Sequence, residues 1–568
     1  MSEQINCEKT RQLKQLLADW QTAVSGTNHP HPPHYEGPDL TITKFTEKTS
    51  EIIPGACFVA RVRETSDGHP YIGTAVDLGA TMILAQRPLS ALNLTLPDHV
   101  IYWQVPDTAE SLAWLAAAWE GFPSRQLVMI GITGTDGKTT TCNILHHVLH
   151  KSGLKVGLLS TIKAIIGDKE EPLALHVTTP EAPVVQRHLR RMVDAGLTHC
   201  ILESTSHGLA QHRVSAIDYD IAVVTNITHE HLDYHGSHEN YVAAKARLFH
   251  TLNNAAWAWP TENKSKQGLT KTAVLNIDDS SYSKLLDIGA PRQVSYGLEK
   301  KADVTADNIA YTKDKTWFDL HFSEPLGLFH GKAQPEKIEF MVPGFSHLLG
   351  EFNLYNILAT VAVARILKLS PEAIQENLKT IFNVHGRMER VTGWHDYIVV
   401  IDFAHTPNSL QKAIDAGRKM VHEHNGRVIT VFGSAGKRDA AKRRLMAEIS
   451  ARDADFTILT AEDPRTESLD DILETMAASC KNKGGIEGKS FWRIPDRGKA
   501  IYFALSIAQK RDIVMLCGKG HEQSMCFGTI EYPWDERQAV TAALKALEYN
   551  KPMPDLGLPT GSASQTTD

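Results

Sequence analysis

The sequence predicts an α/β protein of three units, with parallel sheets in the second and third. Three observations predict it. The chain has 568 residues, too many for one hydrophobic core at roughly 150 residues per domain. Short apolar runs alternate with longer segments of helical period, the pattern of strands joined by crossover helices. Polar residues of functional type cluster just after several of those runs, where an open parallel sheet places its ligands.

Residues 1–120 form the first unit. "HPHPPHYEGP" (29–38) reads as a solvated loop. His29, His31 and His34 are potential metal ligands, but no acidic or Cys partner stands at ligand-like spacing. "TMILAQRP" and "HVIYWQV" read as strands, and "DTAESLAWLAAAWEGF" as a capped helix. Residues 121–365 form the second unit, with strands in "LVMIGIT", "KVGLLS", "THCILES", "DIAVVTN" and "TAVLNID". A polar surface loop is expected at 257–271 and a more β-like stretch near 303–341. Residues 366–550 form the third unit, with "YIVVIDF", "RVITVFG", "DFTILTA" and "DIVMLCG" each followed by a polar loop and a helix. The tail, 551–568, reads as disordered.

Composition narrows the function classes. A net charge of -7 without a dense Lys/Arg run argues against nucleic acid. Seven scattered cysteines with no CxxC pair fit a reducing cytosol better than a disulfide framework or a zinc site. The N-terminus is polar. The longest apolar run near it, "LAWLAAAW" (112–119), is far short of the roughly 20 residues that span a bilayer. The expectation is a cytoplasmic monomer that handles small molecules, with neither nucleic acid nor membrane as partner.

The chemistry is concentrated around "GITGTDGKTTTCNIL" (131–145), between a strand and a helix. Gly134 and Gly137 let the backbone curl, so that N–H groups point at phosphate oxygens at the positive end of the helix. Lys138 reaches the outer phosphates and Thr139 holds Mg²⁺. The strict spacing of such loops fails at Ile132, which argues against an ordinary kinase or GTPase. Glu203 ends the strand in "HCILESTSHGLAQHR", where its carboxylate can meet an ion at the loop. His229, Glu230, His231, Asp233 and His235 crowd residues 229–235. A zinc site, one Mg²⁺-contacting imidazole and a structural loop all remain readings of that cluster. Lys245 in "NYVAAKARLF", taken alone, reads as a solvated helical lysine.

Ten stretches in order resemble the Mur ligase family, ATP-dependent enzymes that add amino acids to the growing peptidoglycan stem peptide. They are "GITGTDGKTTT", "HVTTPEAP", "LESTSHGLAQHRV", "TNITHEHLDYHGSHENYVAAKARLF", "LLGEFNLYNILAT", "HGRMERV", "IDFAHTPNSLQKAI", "VFGSAGKRDAAKRRLMAEI", "EDPRTES" and "CGKGHE". The resemblance is strongest to the branch that joins a diamino acid to UDP-N-acetylmuramoyl-L-alanyl-D-glutamate. It implies an N-terminal domain for the UDP-substrate, a central P-loop ATPase domain and a C-terminal Rossmann-like domain for the amino acid.

By that resemblance, Lys138, Glu203, His231 and Lys245 are catalytic, with two Mg²⁺ ions. Lys245 carries a carbamate (N6-carboxylysine), which turns a cation into an anion able to hold the second ion. Thr139, Glu203, His231 and the carbamate contact metal. Gly134, Thr135, Asp136, Gly137, Lys138, Thr139 and Thr140, with Asn353, Asn356, Arg387, Asp402 and His405, surround ATP. Thr49, Thr178, Thr179, Thr205, Gln211 and Arg213 hold the UDP-substrate. Arg438, Glu462, Asp463, Pro464, Arg465, Gly518 and Glu522 hold the amino acid. The reaction implied is amide formation through an acyl phosphate, which needs positioning and charge neutralisation more than covalent help.

Two departures from the family pattern matter. Members that add meso-diaminopimelate carry "DNPR", whose Arg grips the distal carboxylate. Here "EDPR" keeps the Arg, a planar fork suited to a carboxylate. Asp463 in place of Asn adds negative charge, which favours a side-chain ammonium, so lysine and ornithine are the alternatives to diaminopimelate. In the N-terminal unit, "KTSEIIPG" (48–55) stands where the family has "DSRxVxPG", which alters the expected uridine contact at Thr49. Other readings are a folylpolyglutamate or cyanophycin-type ligase, a P-loop kinase or motor ATPase, and a silent homologue. "TTPEA" and "STSHGLAQHR" favour the muramoyl substrate over folate.

Overall fold

The strand Val128–Thr133 is buried along its whole length, and so are its neighbours His199–Glu203 and Ile221–Val224. Strands buried on both faces read as continuous aliphatic runs, which is why they stand out in the sequence. The computed structural model describes residues 9–63, 66–173, 179–228, 232–254, 259–312, 315–329, 338–422, 425–437 and 440–560. By contacts the chain forms two compact units. One comprises residues 1–305, 321–340 and 355–374; the other comprises 306–320, 341–354 and 375–568.

Besides the short antiparallel pair Arg11–Gln12 and Thr41–Ile42, the first unit contains an N-terminal sheet and most of a larger one. The N-terminal one is parallel, in the order Phe45–Thr46, Ala56–Ala60, Ala80–Ala85, Ile101–Gln104. The predicted capped helix is Thr108–Trp119, and the Asp107 side chain accepts from the N–H groups of Ala109 and Glu110. Helix Leu13–Val24 packs on it through Trp20 and Trp114, stacked 5.8 Å apart. The parallel centre of the larger sheet runs Val156–Leu159, His199–Glu203, Val128–Thr133, Ile221–Val224, Thr272–Asn276, Arg292–Tyr296, and antiparallel strands extend it. All five strands expected within residues 121–365 are therefore present, in an order set by crossovers.

The stretches 29–38 and 257–271 are mostly half-buried or exposed, as expected, but among the described residues each holds one buried side chain. His29 is buried edge-on against Trp114, 5.3 Å between centroids, and burial lowers its pKa to about 4, with Lys271 adding to the effect. Within the expected surface loop, Lys266 is buried and donates to Asp220 at 2.6 Å. Asp218 beside it would be pushed up by burial, but Lys266, Lys271 and Arg125 outweigh that and hold it low. Only these two side chains depart from the expected exposure, because the partners that bury them are distant in sequence.

In the second unit the sheet runs Glu389–Val391, Ile398–Asp402, Ile513–Cys517, Val428–Phe432, Phe456–Leu459, Phe491–Arg493, parallel except at the first strand. Its four long strands are the four expected ones. A fully buried pair, Arg497 and Glu536, braces the C-terminal ends of two of them. Arg497 donates to Glu536 Oε1 at 2.6 Å, to Ala461 O at 3.1 Å and to Cys517 O at 2.9 Å. Residues 551–560, expected to be disordered, carry Met553, Leu556 and buried Leu558 onto this unit's core. Those three apolar side chains outweigh the polar composition of the tail as a whole. Among the described residues, no helix is long and apolar enough to cross a membrane.

Candidate active site

The phosphate-type loop joins the buried strand Val128–Thr133 to helix Lys138–Lys151. Gly134 and Gly137 have φ of +151° and +80°. A Cβ at Gly134 would run into Thr225 Oγ1, and one at Gly137 into Asn356 Oδ1. Both positions thus exclude side chains by conformation and by contact. The loop is pinned from the neighbouring strand end. Thr135 N donates to Asn226 O at 2.7 Å, Asp136 N to Asn226 Oδ1 at 3.0 Å, and Thr225 Oγ1 to Asp136 O at 2.6 Å. Asn356, expected near the nucleotide, accepts from Thr141 Oγ1 at 3.1 Å.

Lys138 Nζ donates to Thr135 O at 2.7 Å. Thr139 Oγ1 stands 2.9 and 3.1 Å from the two carboxylate oxygens of Glu203, and Thr161 N donates to Glu203 Oε2 at 2.9 Å. Thr140 is buried in the same helix turn. Lys245 is 1% exposed, not solvated. Its ammonium donates to Gly134 O at 2.6 Å and lies 4.5 Å above the Tyr241 ring. Helix His238–His250 buries Tyr241, Lys245, Leu248 and Phe249, so the lysine interrupts an apolar stripe. That interruption is the sequence signal for its burial, which the lysine taken alone does not give.

A hydroxyl and a carboxylate side by side are hard oxygen donors, which fit Mg²⁺. The Lys245 ammonium does not fit a cation unless it is carbamylated. His231, with His229 and Glu230, lies outside the described residues, as do Thr178 and Arg438.

The expected substrate residues form a linked set. Thr179 Oγ1 meets Thr205 Oγ1 at 3.0 Å and donates to Glu203 O at 3.1 Å. Arg213 donates to Thr179 O at 2.6 Å and to Gln211 Oε1 at 2.8 Å. Glu181 pairs with Arg213 at 3.0 Å and with Arg61 at 2.7 Å. Burial would raise Glu181, but Arg213 and Arg61 outweigh it and hold it below the usual carboxylate value. Arg61 also donates to Glu47 at 2.8 Å and to Gln211 O at 3.0 Å, which ties the N-terminal lobe to this wall. Thr49 is apart from that set: it opens the short turn Thr49–Glu51, and no hydrogen bond links it to the others among the described residues.

In the second unit, the Arg387 guanidinium lies 4.6 Å over the Phe403 ring, and the His405 ring is 4.4 Å from it. Asp402 is engaged with backbone, accepting from Met388 N and Ala404 N, each at 2.7 Å. Asn353 Nδ2 donates to Leu349 O at 2.7 Å. The "EDPR" segment sits between strand ends. Burial pushes Glu462 up, and Glu462 Oε2 would lie 3.1 Å from a Cβ at Gly518, whose φ is +103°. Pro464 is buried. Asp463 Oδ1 accepts from Lys519 Nζ at 2.9 Å, and Lys519 also pairs with Glu522 at 2.7 Å. Arg465 has φ +54°, held by Cys526 O at 3.0 Å and Gly528 N at 2.7 Å. Lys519 was not singled out in the sequence.

The model described as Mur ligase middle domain matches residues 132–364, and that described as Mur ligase, glutamate ligase domain matches residues 386–520. The chain is 37% identical over 508 residues to the UDP-N-acetylmuramoyl-L-alanyl-D-glutamate--2,6-diaminopimelate ligase of Geobacillus thermodenitrificans, covering 89% of this chain and 95% of that one. The chain belongs to the Mur ligase family. To the UDP-N-acetylmuramyl-tripeptide synthetase of Roseiflexus sp. it is 36% identical over 525 residues, 91% and 97% of the two chains. A solved UDP-N-acetylmuramoyl-L-alanyl-D-glutamate--2,6-diaminopimelate ligase matches with a TM-score of 0.58 at 26% identity, covering 89% and 96%. A MurF ligase from Thermotoga maritima, solved in complex with ADP, shares the fold at 19% identity and TM-score 0.55, covering 89% and 98%. Like other Mur ligases, this chain is an ATP-dependent acid–amino-acid ligase with an α/β, parallel-sheet architecture.

Proposed function

We propose that this Mur ligase adds meso-diaminopimelate to UDP-N-acetylmuramoyl-L-alanyl-D-glutamate, in the cytoplasm and as a monomer. The observation that carries the reading is the convergence of Lys138, the Thr139–Glu203 pair and buried Lys245 on one loop. Gly134 and Gly137 leave room for a triphosphate, and Lys138 moves from Thr135 O to its outer oxygens. There the ammonium offsets charge as the substrate carboxylate takes the γ-phosphate. Mg²⁺ at Thr139 and Glu203 supplies further charge neutralisation. A carbamate on Lys245, with His231, serves a second ion.

Thr179, Thr205, Gln211 and Arg213 orient the muramoyl dipeptide, with Thr178 expected beside them and Thr49 at the uridine end. Arg387, Asp402, His405 and Asn353, of the second unit, are the further nucleotide-binding residues that the family resemblance implies. Glu462, Asp463, Arg465, Gly518, Glu522 and Arg438 receive the amino acid. The incoming amine then attacks the acyl phosphate, and phosphate leaves. Lysine and ornithine offer no distal carboxylate to Arg465, so diaminopimelate is the better match. The test is phosphate release from ATP with the UDP-muramoyl dipeptide and each diamino acid in turn. Release that depends on diaminopimelate supports the reading. Equal release with lysine defeats the choice of amino acid, and no amino-acid dependence defeats the function.

A further inference from the structure

The replacement that puts the amino-acid choice in question is Asp463, whose carboxylate adds a negative charge beside the Arg that should grip a carboxylate. Its surroundings answer the question. Lys519 enters from the "CGKGHE" segment, and its side chain is 1% exposed. Its ammonium lies 2.9 Å from Asp463 Oδ1 and 2.7 Å from Glu522 Oε2. The same Asp463 oxygen accepts from Cys526 N at 3.1 Å. Burial alone would lower the lysine's pKa, but Glu522 and Asp463 outweigh it and raise it, so the ammonium stays charged. An ion pair removed from water in this way is far less screened than a surface pair.

Arg465 is the contrast. It adopts a left-handed backbone at φ +54°, which is unusual for a side chain of its size. Backbone bonds to Cys526 O and from Gly528 N fix it there. Its Nε is buried without a hydrogen-bond partner, and it has no ion pair among the described residues. Lys519 is thus consumed internally, while Arg465 is held unspent.

We propose that Lys519 is a specificity-determining positioning residue, cancelling the charge of Asp463 so that Arg465 presents an unopposed guanidinium to the side-chain carboxylate of the incoming amino acid. The inference rests on the reading of this segment as the amino-acid site and deepens it. Asp463 then does not select a side-chain ammonium. Glu522, with its side chain 39% exposed, keeps an outward-facing share of negative charge for that group. The tight internal pair also fixes the distance between the two binding groups.

Four proteins test it in the phosphate-release assay with diaminopimelate and lysine: wild type, D463N, K519M and D463N/K519M. D463N is expected to leave the diaminopimelate-to-lysine ratio of kcat/KM within about threefold of wild type, since the charge it removes is already cancelled. K519M is expected to raise the KM for diaminopimelate by about tenfold or more with the KM for ATP unchanged, because it frees a carboxylate beside Arg465. D463N/K519M is expected to recover most of that loss. A tenfold rise in the ratio for D463N would overturn the proposal, since Asp463 would then be selecting the ammonium. So would an unchanged KM in K519M, or a double variant no better than K519M, the result of a merely structural lysine. Should K519M not fold, the double variant still decides, because it removes Asp463's charge together with its partner and leaves only the half-exposed Glu522 without its ion pair: retained discrimination supports the proposal and lost discrimination ends it. A wild-type enzyme indifferent to amino acid would instead refute the underlying site assignment, leaving the two failures distinguishable.

Discussion

The Thr139 hydroxyl donates to both oxygens of Glu203, at 2.9 and 3.1 Å, across 64 residues of chain. The contact joins the first turn of a helix to the end of the neighbouring parallel strand. Replacing the carboxylate by an amide keeps its shape and removes its charge. Glu203→Gln is expected to lower kcat by about a hundredfold, a typical cost for losing one electrostatic group at a developing charge. The Mg²⁺ concentration for half-maximal phosphate release should rise with it. An unchanged Mg²⁺ dependence would remove Glu203 from the metal-binding set.

Lys245→Ala should nearly abolish ligation, by about a thousandfold or more if a carbamate supports a second ion. Added formate or acetate should restore part of the rate by occupying the vacated space with a carboxylate. Activity near wild type would sink the assignment. Loss without rescue would point to the Gly134 O contact, at 2.6 Å, as the lysine's contribution.

Arg465→Ala should raise the KM for diaminopimelate by about a hundredfold, the cost of one bidentate carboxylate contact at about 3 kcal/mol. Nucleotide binding, followed by a fluorescent ATP analogue, should be unaltered. A parallel loss of both would show that the substitution has disturbed the fold of the second unit.

Acid should destabilise the first unit through buried imidazoles. His29, His146 and His199 are each lowered to about 4, in every case by burial first. The unfolded chain takes up these protons near the ordinary value of 6.5, so the unfolded state binds more of them. Stability is therefore complete above pH 6.5 and declines as pH falls towards 4. His29 alone accounts for up to about 3 kcal/mol of that decline. His29→Phe, which keeps a ring against Trp114, should flatten the loss measured by urea unfolding at pH 7 and pH 4.5. Identical slopes for variant and wild type would show that His29 contributes nothing to it.

Strands were the most legible part of the chain, because a strand covered on both faces must be apolar throughout. "LVMIGIT" and "DIVMLCG" could be read without any knowledge of their neighbours. Phe491–Arg493 could not, being a short edge strand with two half-buried residues. At the site, Lys138, Thr139 and Glu203 were legible from loop chemistry and strand ends. What escaped was pairing at a distance. Arg61 reaches Glu181 across 120 residues, and Lys519 reaches Asp463 across 56. No local pattern marks such pairs, since each member taken alone has the composition of an ordinary surface residue. Lys266 was misplaced for the same reason: its burial is set by Asp218 and Asp220, outside its own loop.

The Lys245 amine that now holds Gly134 O is also the group that must react with dissolved CO₂ if a carbamate forms. Reaction requires the neutral amine, so the buried ammonium must first give up a proton, and a second proton leaves as the carbamate forms. Under the carbamate proposal, the enzyme's activity becomes a record of its exposure to bicarbonate. Protein prepared in degassed buffer should begin slowly and accelerate as the gas is restored, with a lag set by how fast that buried amine loses its proton and takes up CO₂.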